Sequence, residues 1–357
     1  MRKRFLTIFL VVVGIPTFVF LWRGSLATYV MFFMVKRNLS ASLVASLPDG
    51  LHLALCGAGS PLLDPQRSGP CVAVIAGKLI FVVDAGTGGA RNLSRMQVPT
   101  GRIAAVLLTH FHSDHIDGLG ELGLLRWVGG NNTERLPVYG PPGVEQIVAG
   151  FNQAYQADAM YRTAHHGIDV APPDGAGLQA HAFLVPDDGS LITVWEADGV
   201  RITAFSVDHR PVTSAVGYRF DYKGRTFVLS GDTKKSANVE KQSRGVDLLV
   251  HEALAAHLVA IMNRAATETG AKSVERITHD IPDYHTTPVE AAQIATAADV
   301  RALLYYHIIP PLWLPGLEAA FLQGVSKAYT GQVVVGRDGT LVSMPSDTRE
   351  IKFSNLL

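Results

Sequence analysis

The chain has 357 residues, 48% of them hydrophobic, which is enough for one large core or two. Its 31 basic and 31 acidic residues balance, so no global charge draws it to nucleic acid or gives it a strongly charged surface. Cys56 and Cys71 are the only cysteines, which excludes CxxC chemistry and a cysteine-rich zinc site.

Arg2, Lys3 and Arg4 precede an apolar run over residues 5–22, about 18 long and near the minimum for a bilayer span. Arg23 interrupts it, and a second apolar run over 26–35 ends at Lys36 and Arg37. A cleaved signal peptide has a shorter apolar core followed closely by a small-residue site. None follows the first run, and Val44-Ala45-Ser46 lies late. Residues 1–37 are therefore expected to be an uncleaved signal anchor, ahead of a cleaved signal or a helix lying on the membrane. The leading basic cluster favours a cytoplasmic N-terminus and an exported domain, periplasmic or otherwise extracytoplasmic. Lys36 and Arg37 on the far side oppose that orientation. Outside the cytoplasm Cys56 and Cys71 could form a disulfide; as thiols they would pack as small hydrophobes, and both readings stay open.

After a linker over 38–50, residues 52–61 read as a strand running into a Gly/Pro turn. Residues 71–86 read as a hairpin with Asp84 at its end, followed by a helix over 89–96 and a strand over 104–108. Helices are expected at 119–127 and 144–155, around a strand near 137–143. Residues 171–189 read as loop, with a weak strand near 181–185. Strands follow at 200–207, 215–222, 225–230 and 246–250, then helices at 252–266 and 288–298. A strand over 302–307, a helix over 316–328 and a closing hairpin over 332–344 complete the chain. GKLIFVVDAG…AAVLLTH and GRTFVLSGDT…VDLLVHE share an order of turn, strand, Asp, strand and His, which suggests two related halves. Alternating strands and helices in both halves favour two packed sheets with helices outside.

The strand over 104–108 delivers His110, His112, Asp114 and His115 in the stretch LLTHFHSDHIDG. Such a cluster is costly to bury idly, because each unpaired polar group taken from water costs ~1–3 kcal/mol. Metal binding is the better reading than a solvated, His-rich turn. The stretch THFHSDHIDG resembles the THxHxDH signature of the metallo-β-lactamase superfamily. His209 in SVDHRPVTS, Asp232 in LSGDT and His307 in LLYYHIIPP fall where that family places its further ligands.

The resemblance covers roughly residues 51–344 and implies an α/β (α+β four-layer) fold, the αβ/βα sandwich. To this the sequence adds an N-terminal membrane-anchor helix. The hydrolase domain is then 51–345 and the C-terminal tail 346–357. By the family pattern, His110, His112 and His209 take one metal, Asp114, His115 and His307 take a second, and Asp232 bridges. Nitrogen and oxygen donors without thiolate suit Zn²⁺, with Mn²⁺ or Fe as alternatives. With Asp114, Asp232 and a bridging hydroxide, two divalent ions leave a residual charge of about +1, which favours an anionic ester.

VHEAL at His251-Glu252 and YHTTPVEAAQIA at His285 resemble motifs of the superfamily's ribonuclease Z and phosphodiesterase branch. There a Glu and a His orient or supply the proton for the leaving oxygen, which implies those roles for Glu252 and His285. The plain alternative has Glu252 opening a helix and His285 capping a loop. Lactam-hydrolysing members often carry a cysteine where this chain has Asp232, and thioester hydrolases share the ligands without these two motifs.

Within the branch, general resemblance points to arylsulfatase-like and phosphodiesterase-like members ahead of RNA processing. Residues 116–208, where a tRNA-gripping arm would fall, hold Arg126, Arg135, Arg162 and Arg201 against twelve Asp and Glu, and a polyanion is repelled by that balance. The last-ligand motif also lacks an Arg after His307, and an exported enzyme would not meet precursor tRNA. His165, His166, Trp127, Tyr161 and Trp313 are weaker candidates for a substrate pocket, and His257 for a plain helix face. His279 and Tyr284 are expected near His285. Asp84 is expected to hold the His-rich loop.

The resulting expectation is a dinuclear metal-dependent hydrolase of phosphodiester or sulfate ester bonds, with a metal-bridging hydroxide as nucleophile. Asp114 orients the hydroxide, while Glu252 and His285 assist leaving-group protonation. A tRNA 3′-processing endoribonuclease is the alternative, and a membrane-anchored binding protein with a vestigial site is the alternative from another class. The expected partners are a small-molecule phosphate or sulfate ester and the membrane, with nucleic acid disfavoured and a homodimer left open.

Overall fold

The computed structural model describes residues 15–357. Arg2, Lys3, Arg4 and the start of the first apolar run lie outside these residues. Helix α1 (Ile15–Ser40) is followed by a short turn of helix, Leu43–Ser46, whose Leu43 is buried. The first half then runs β1 (Gly50–Gly57), β2 (Cys71–Ala76), β3 (Leu79–Val83), α2 (Gly89–Arg95), β4 (Ile103–Leu107), α3 (Ser113–Ile116), α4 (Leu119–Gly130), β5 (Leu136–Gly140), α5 (Val144–His166) and β6 (Leu178–Ala182). The second half runs β7 (Ile192–Ala197), β8 (Val200–Ser206), β9 (Val216–Tyr222), β10 (Arg225–Leu229), β11 (Leu248–Leu254), α6 (Ala256–Thr269), α7 (Lys272–Asp280), α8 (Pro288–Ala297) and β12 (Ala302–Ile309). Three closing strands are β13 (Gln332–Val335), β14 (Thr340–Pro345) and β15 (Lys352–Asn355).

Two sheets face each other, in the orders β15-β14-β1-β2-β3-β4-β5-β6 and β13-β12-β11-β10-β9-β8-β7. Their inner faces meet in one apolar layer that includes Leu53, Val74, Phe81, Tyr218, Phe227, Val250 and Leu304. Helices α2, α4 and α5 cover the outer face of the first sheet, and α6 and α8 that of the second. This is the expected four-layer α/β sandwich. Strands β1, β2, β11 and β12 are buried along their whole length, which is why they read as apolar without alternation, and the polar residues they carry, His52, His251, Glu252 and His307, are buried with them.

The two halves are related as their sequences suggest. Hairpin β2–β3 leads to β4 parallel to β3, and hairpin β9–β10 leads to β11 parallel to β10. Each parallel step ends beside a left-handed residue, Asp84 (φ 56) after β3 and Gly231 (φ 63) after β10. A Cβ at Gly231 would stand 2.5 Å from the Val216 carbonyl, so the turn that presents Asp232 requires glycine.

Several local expectations change, among them the helix over 316–328, which forms as two pieces, Leu317–Phe321 and Val325–Ala328. The closing hairpin does not form, because β13 pairs in parallel with β12 while β14 crosses to pair with β1 in the other sheet. The crossing is pinned by Asp338, whose carboxylate accepts from the Ala58, Ser68 and Asn92 nitrogens. Glu252 does not open a helix; β11 carries it into the core, and α6 begins only at Ala256. Helix α5 runs on to His166, and α7 was not anticipated. Residues 352–355, in the expected tail, add an edge strand along β14.

Candidate metal centre

The residues expected to bind metal gather at the edge where β3, β4, β8 and β10 end. Val216 N donates to the Thr109 carbonyl, joining the two halves just below the cluster. The chain turns after β4 because Asp84 accepts from Thr109 N at 2.8 Å and from its hydroxyl at 2.9 Å. That brings His110 and His112 round, and the single helical turn α3 then presents Asp114 and His115 from one side. His209 follows β8, Asp232 follows β10, and His307 projects from β12 at a left-handed φ of 45.

All seven expected ligands are brought together. Nitrogen and oxygen atoms of His110, His112, His209 and Asp232 lie within 4.8 Å of one another, as do those of Asp114, His115 and His307. Asp232 Oδ2 stands between the groups, 3.4 Å from His115 Nε2, 3.3 Å from His307 Nε2 and 3.9 Å from both His110 Nε2 and His209 Nε2. The arrangement suits one carboxylate shared between two ions.

The outer nitrogens of His110, His115 and His209 are held by the fold, while His307 Nδ1 has no hydrogen-bond partner among the described residues. His115 Nδ1 lies 2.8 Å from Asp84 Oδ2, His209 Nδ1 is 2.9 Å from the Tyr284 carbonyl, and His110 Nδ1 is 3.1 Å from the Thr109 hydroxyl. These partners fix each ring so that Nε2 faces inward with a lone pair. For His112 it is Nδ1 that faces His110 and His209, at 3.0 and 3.4 Å. His115 Nε2 and Asp232 Oδ1 are buried and have no hydrogen-bond partner among the described residues. Buried polar atoms are almost always satisfied, so the cluster fits a metal.

The electrostatics agree. Burial holds the His110 imidazole well below its usual range and His209 down to about 4, so both rings are neutral donors near neutrality. Burial pushes the Asp232 carboxyl up, but His307, His115 and His110 outweigh it and hold the group ionised.

Glu252 and His285 adjoin this cluster. Glu252 Oε2 is 3.3 Å from His285 Nδ1, and Glu252 Oε1 accepts from Thr286 N at 2.8 Å and Thr233 N at 3.4 Å. Asp232, His285 and His307 also lie within the metal-binding spacing. Burial, with Asp232 nearby, drives the Glu252 carboxyl well above its usual range.

Other candidates fall elsewhere. His165 and His166 end α5 in solvent, Tyr161 and Trp313 are exposed, and His279 is exposed on α7. His257 meets the Ala320 carbonyl on the surface. Trp127 is buried, with its indole N–H on the Pro172 carbonyl. Tyr284 joins the site through its carbonyl, which no side-chain pattern reports. Thr109, Thr233 and Thr286 were missed, although the Thr of THFH and the Thr pair after His285 were visible signals. Cys56 and Cys71 are joined as a disulfide between β1 and β2.

A family profile described as Beta-lactamase superfamily domain matches residues 80–308. Ribonuclease Z of Mycobacterium avium is 34% identical over 290 residues, covering 81% of this chain and 96% of that protein. Ribonuclease Z of Mycolicibacterium gilvum is 34% identical over 293 residues, with 81% and 94% covered. Among solved structures, the short form of human tRNase Z superposes with a TM-score of 0.59 at 20% identity, over 82% of this chain and 99% of that one. A metallo-β-lactamase fold protein of Bacillus subtilis gives 0.57 at 20% identity, over 82% and 98%. At these identities the structures speak for the fold.

Proposed function

The chain belongs to the beta-lactamase superfamily, in its ribonuclease Z branch, and from that premise we propose that this metal-dependent ester hydrolase cleaves an RNA phosphodiester, as a tRNA 3′-processing endoribonuclease. The observation that carries the reading is the Glu252–His285 pair beside the seven-ligand cluster, in a chain aligned along 96% of a ribonuclease Z.

His110, His112 and His209 would hold one divalent ion and Asp114, His115 and His307 the other, with Asp232 shared; Zn²⁺ suits this donor set best. When bound, the two ions supply Lewis acidity, lowering the pKa of a water and taking up charge on the phosphate. The chain's own residues do the rest. Asp114 Oδ2, 3.2 Å from His307 Nε2, is placed to orient an attacking water by accepting its hydrogen bond. His285 delivers a proton to the departing oxygen, and Glu252, whose carboxyl burial and Asp232 keep protonated where an ordinary carboxylate would not be, orients the ring at Nδ1 and resupplies that proton. Thr286 N and Thr233 N fix the carboxyl that does so.

A second reading, hydrolysis of a small phosphodiester or sulfate ester by an exported enzyme, is favoured by two observations. Residues 116–208 carry four Arg against twelve Asp and Glu. The Cys56–Cys71 disulfide suits an oxidising compartment. Both readings attach the chain to a membrane through Val19–Ser40, whose apolar window is unburied. They differ in side, since Lys36 and Arg37 next to the domain suit a cytoplasmic face.

Metal-loaded protein assayed on precursor tRNA, bis(p-nitrophenyl) phosphate and p-nitrophenyl sulfate separates them. Cleavage at the tRNA 3′ side, with binding that weakens steeply as salt rises, supports the first reading. No tRNA binding at low salt ends it. Turnover of a small ester alone establishes the second, and Asp114→Ala must abolish either activity.

A further inference from the structure

Helix α5 is much longer than the sheet it covers. Only Val144 and Val148 are buried, and the rest of the helix overhangs α4 and the loop before β6. Between them lies a cavity of about 690 Å³, within the range that takes a small organic ligand. Leu124, Trp127, Phe151, Tyr155, Met160 and Leu178 give it an apolar lining. Glycines on α4 let two lining side chains pack directly on that helix: a Cβ at Gly120 would meet the Tyr155 ring at 2.2 Å, and one at Gly123 would meet Leu178 at 2.8 Å.

The polar groups around the cavity are mostly spent on the protein itself. Asn152 bonds both backbone groups of Leu178, the Trp127 indole serves Pro172, Thr163 serves Ala171, and Asp158 pairs with Arg162 at 2.7 Å. Gln153, Gln156 and Arg135 are not spent in this way, and of these three Arg135 alone is charged. Its guanidinium is exposed at the lining and makes no ion pair or hydrogen bond with the described residues. An apolar chamber with one free cation is complementary to an anionic head on an apolar body.

The cavity lies away from the metal cluster. Arg135 and Gly177 immediately precede β5 and β6, whose opposite ends point toward the catalytic edge. At that same far edge Leu43 N donates to the Gln97 carbonyl, so α1 leaves the domain there. We propose that this cavity is a second binding site, for a single-chain amphipathic monoanion such as an alkyl carboxylate, with its chain between α4 and α5 and its head on Arg135. Its position on the α1 side lets such a ligand arrive from a bilayer or from solution.

The test is calorimetric titration of the full chain in phosphatidylcholine nanodiscs, with empty discs subtracted, using dodecanoate and dodecanol. Dodecanoate saturates one site, Arg135→Ala weakens it about tenfold while sparing dodecanol, and Ala159→Trp removes both. Unchanged hydrolase activity shows that both variants are folded. Discs doped with lysophosphatidate compete with dodecanoate if the bilayer is the source and leave its isotherm unchanged if it is not. Absence of saturable binding, dodecanol binding as tightly as dodecanoate, or indifference to both substitutions overturns the proposal.

Discussion

Glu252 Oε2 and His285 Nδ1 lie 3.3 Å apart, one carried by the core strand β11 and the other by the loop that leads into α8. The contact is an approach at ion-pair distance, and neither atom has a hydrogen-bond partner among the described residues. The pair therefore depends on two elements being docked, and in the proposed reaction its target is the departing oxygen.

Removing the proton donor should then depend on the leaving group. His285→Ala is expected to lower kcat by about 10²–10⁴-fold on a ribose or alkyl leaving group. It should cost far less on p-nitrophenyl esters, whose phenolate leaves unaided. Glu252→Gln should follow the same pattern, and the metal content of both variants, measured by mass spectrometry, should match the parent. An equal loss on both substrate types would remove the proton-donor role.

Asp84 touches no substrate but holds His115 at 2.8 Å and the Thr109 turn. Asp84→Asn can no longer stabilise the inward-facing tautomer as a carboxylate does. Chelator competition is expected to show metal affinity about 10–100-fold weaker. Parental affinity in this variant would leave Asp84 a purely structural acid.

Metal should stabilise the fold, since the ligands come from both sheets. At free metal about 100-fold above Kd, the expected gain is about 2.7 kcal/mol. It would be read as a rise in Tm that chelation reverses. Asp232→Asn should lose most of that gain while keeping the apo-protein's Tm within a few degrees.

His251 gives a pH test. It is fully buried beside Glu252, with Nδ1 donating to the Glu252 carbonyl at 2.7 Å, and burial pulls its pKa down to about 4. A neutral folded His with a depressed pKa contributes stability that is complete above the unfolded value of about 6.5. As pH falls from about 6.5 to about 4, the unfolded chain takes the proton first and the contribution disappears. It amounts to roughly 3 kcal/mol over that window, at about 1.36 kcal/mol per pH unit. Urea unfolding of the metal-loaded protein should show His251→Asn losing less stability than the parent over that window; identical slopes would refute the assignment.

Much of this protein was legible locally. The ligands sit at strand ends, and a strand end followed by a turn is written in a few consecutive residues, as in LLTHFHSDHIDG and LSGDT. Buried strands announce themselves as apolar runs, and the paired halves as a repeated order. Family motifs carried Glu252 and His285 although the backbone reading put Glu252 on the wrong element.

Sequence alone thus determined the layers, the candidate donor set and which residues are too polar to bury idly, because those properties reside in short stretches of chain. Tertiary structure alone decided which strand meets which. β13 and β14 look like a hairpin, yet each finds its partner in a different sheet, because strand pairing is settled by distant edges rather than by the turn between them. The same holds for Asp84 on His115, for the Tyr284 carbonyl on His209, and for the chamber beneath α5. Each depends on long-range docking of surfaces, whose free energy no local pattern carries.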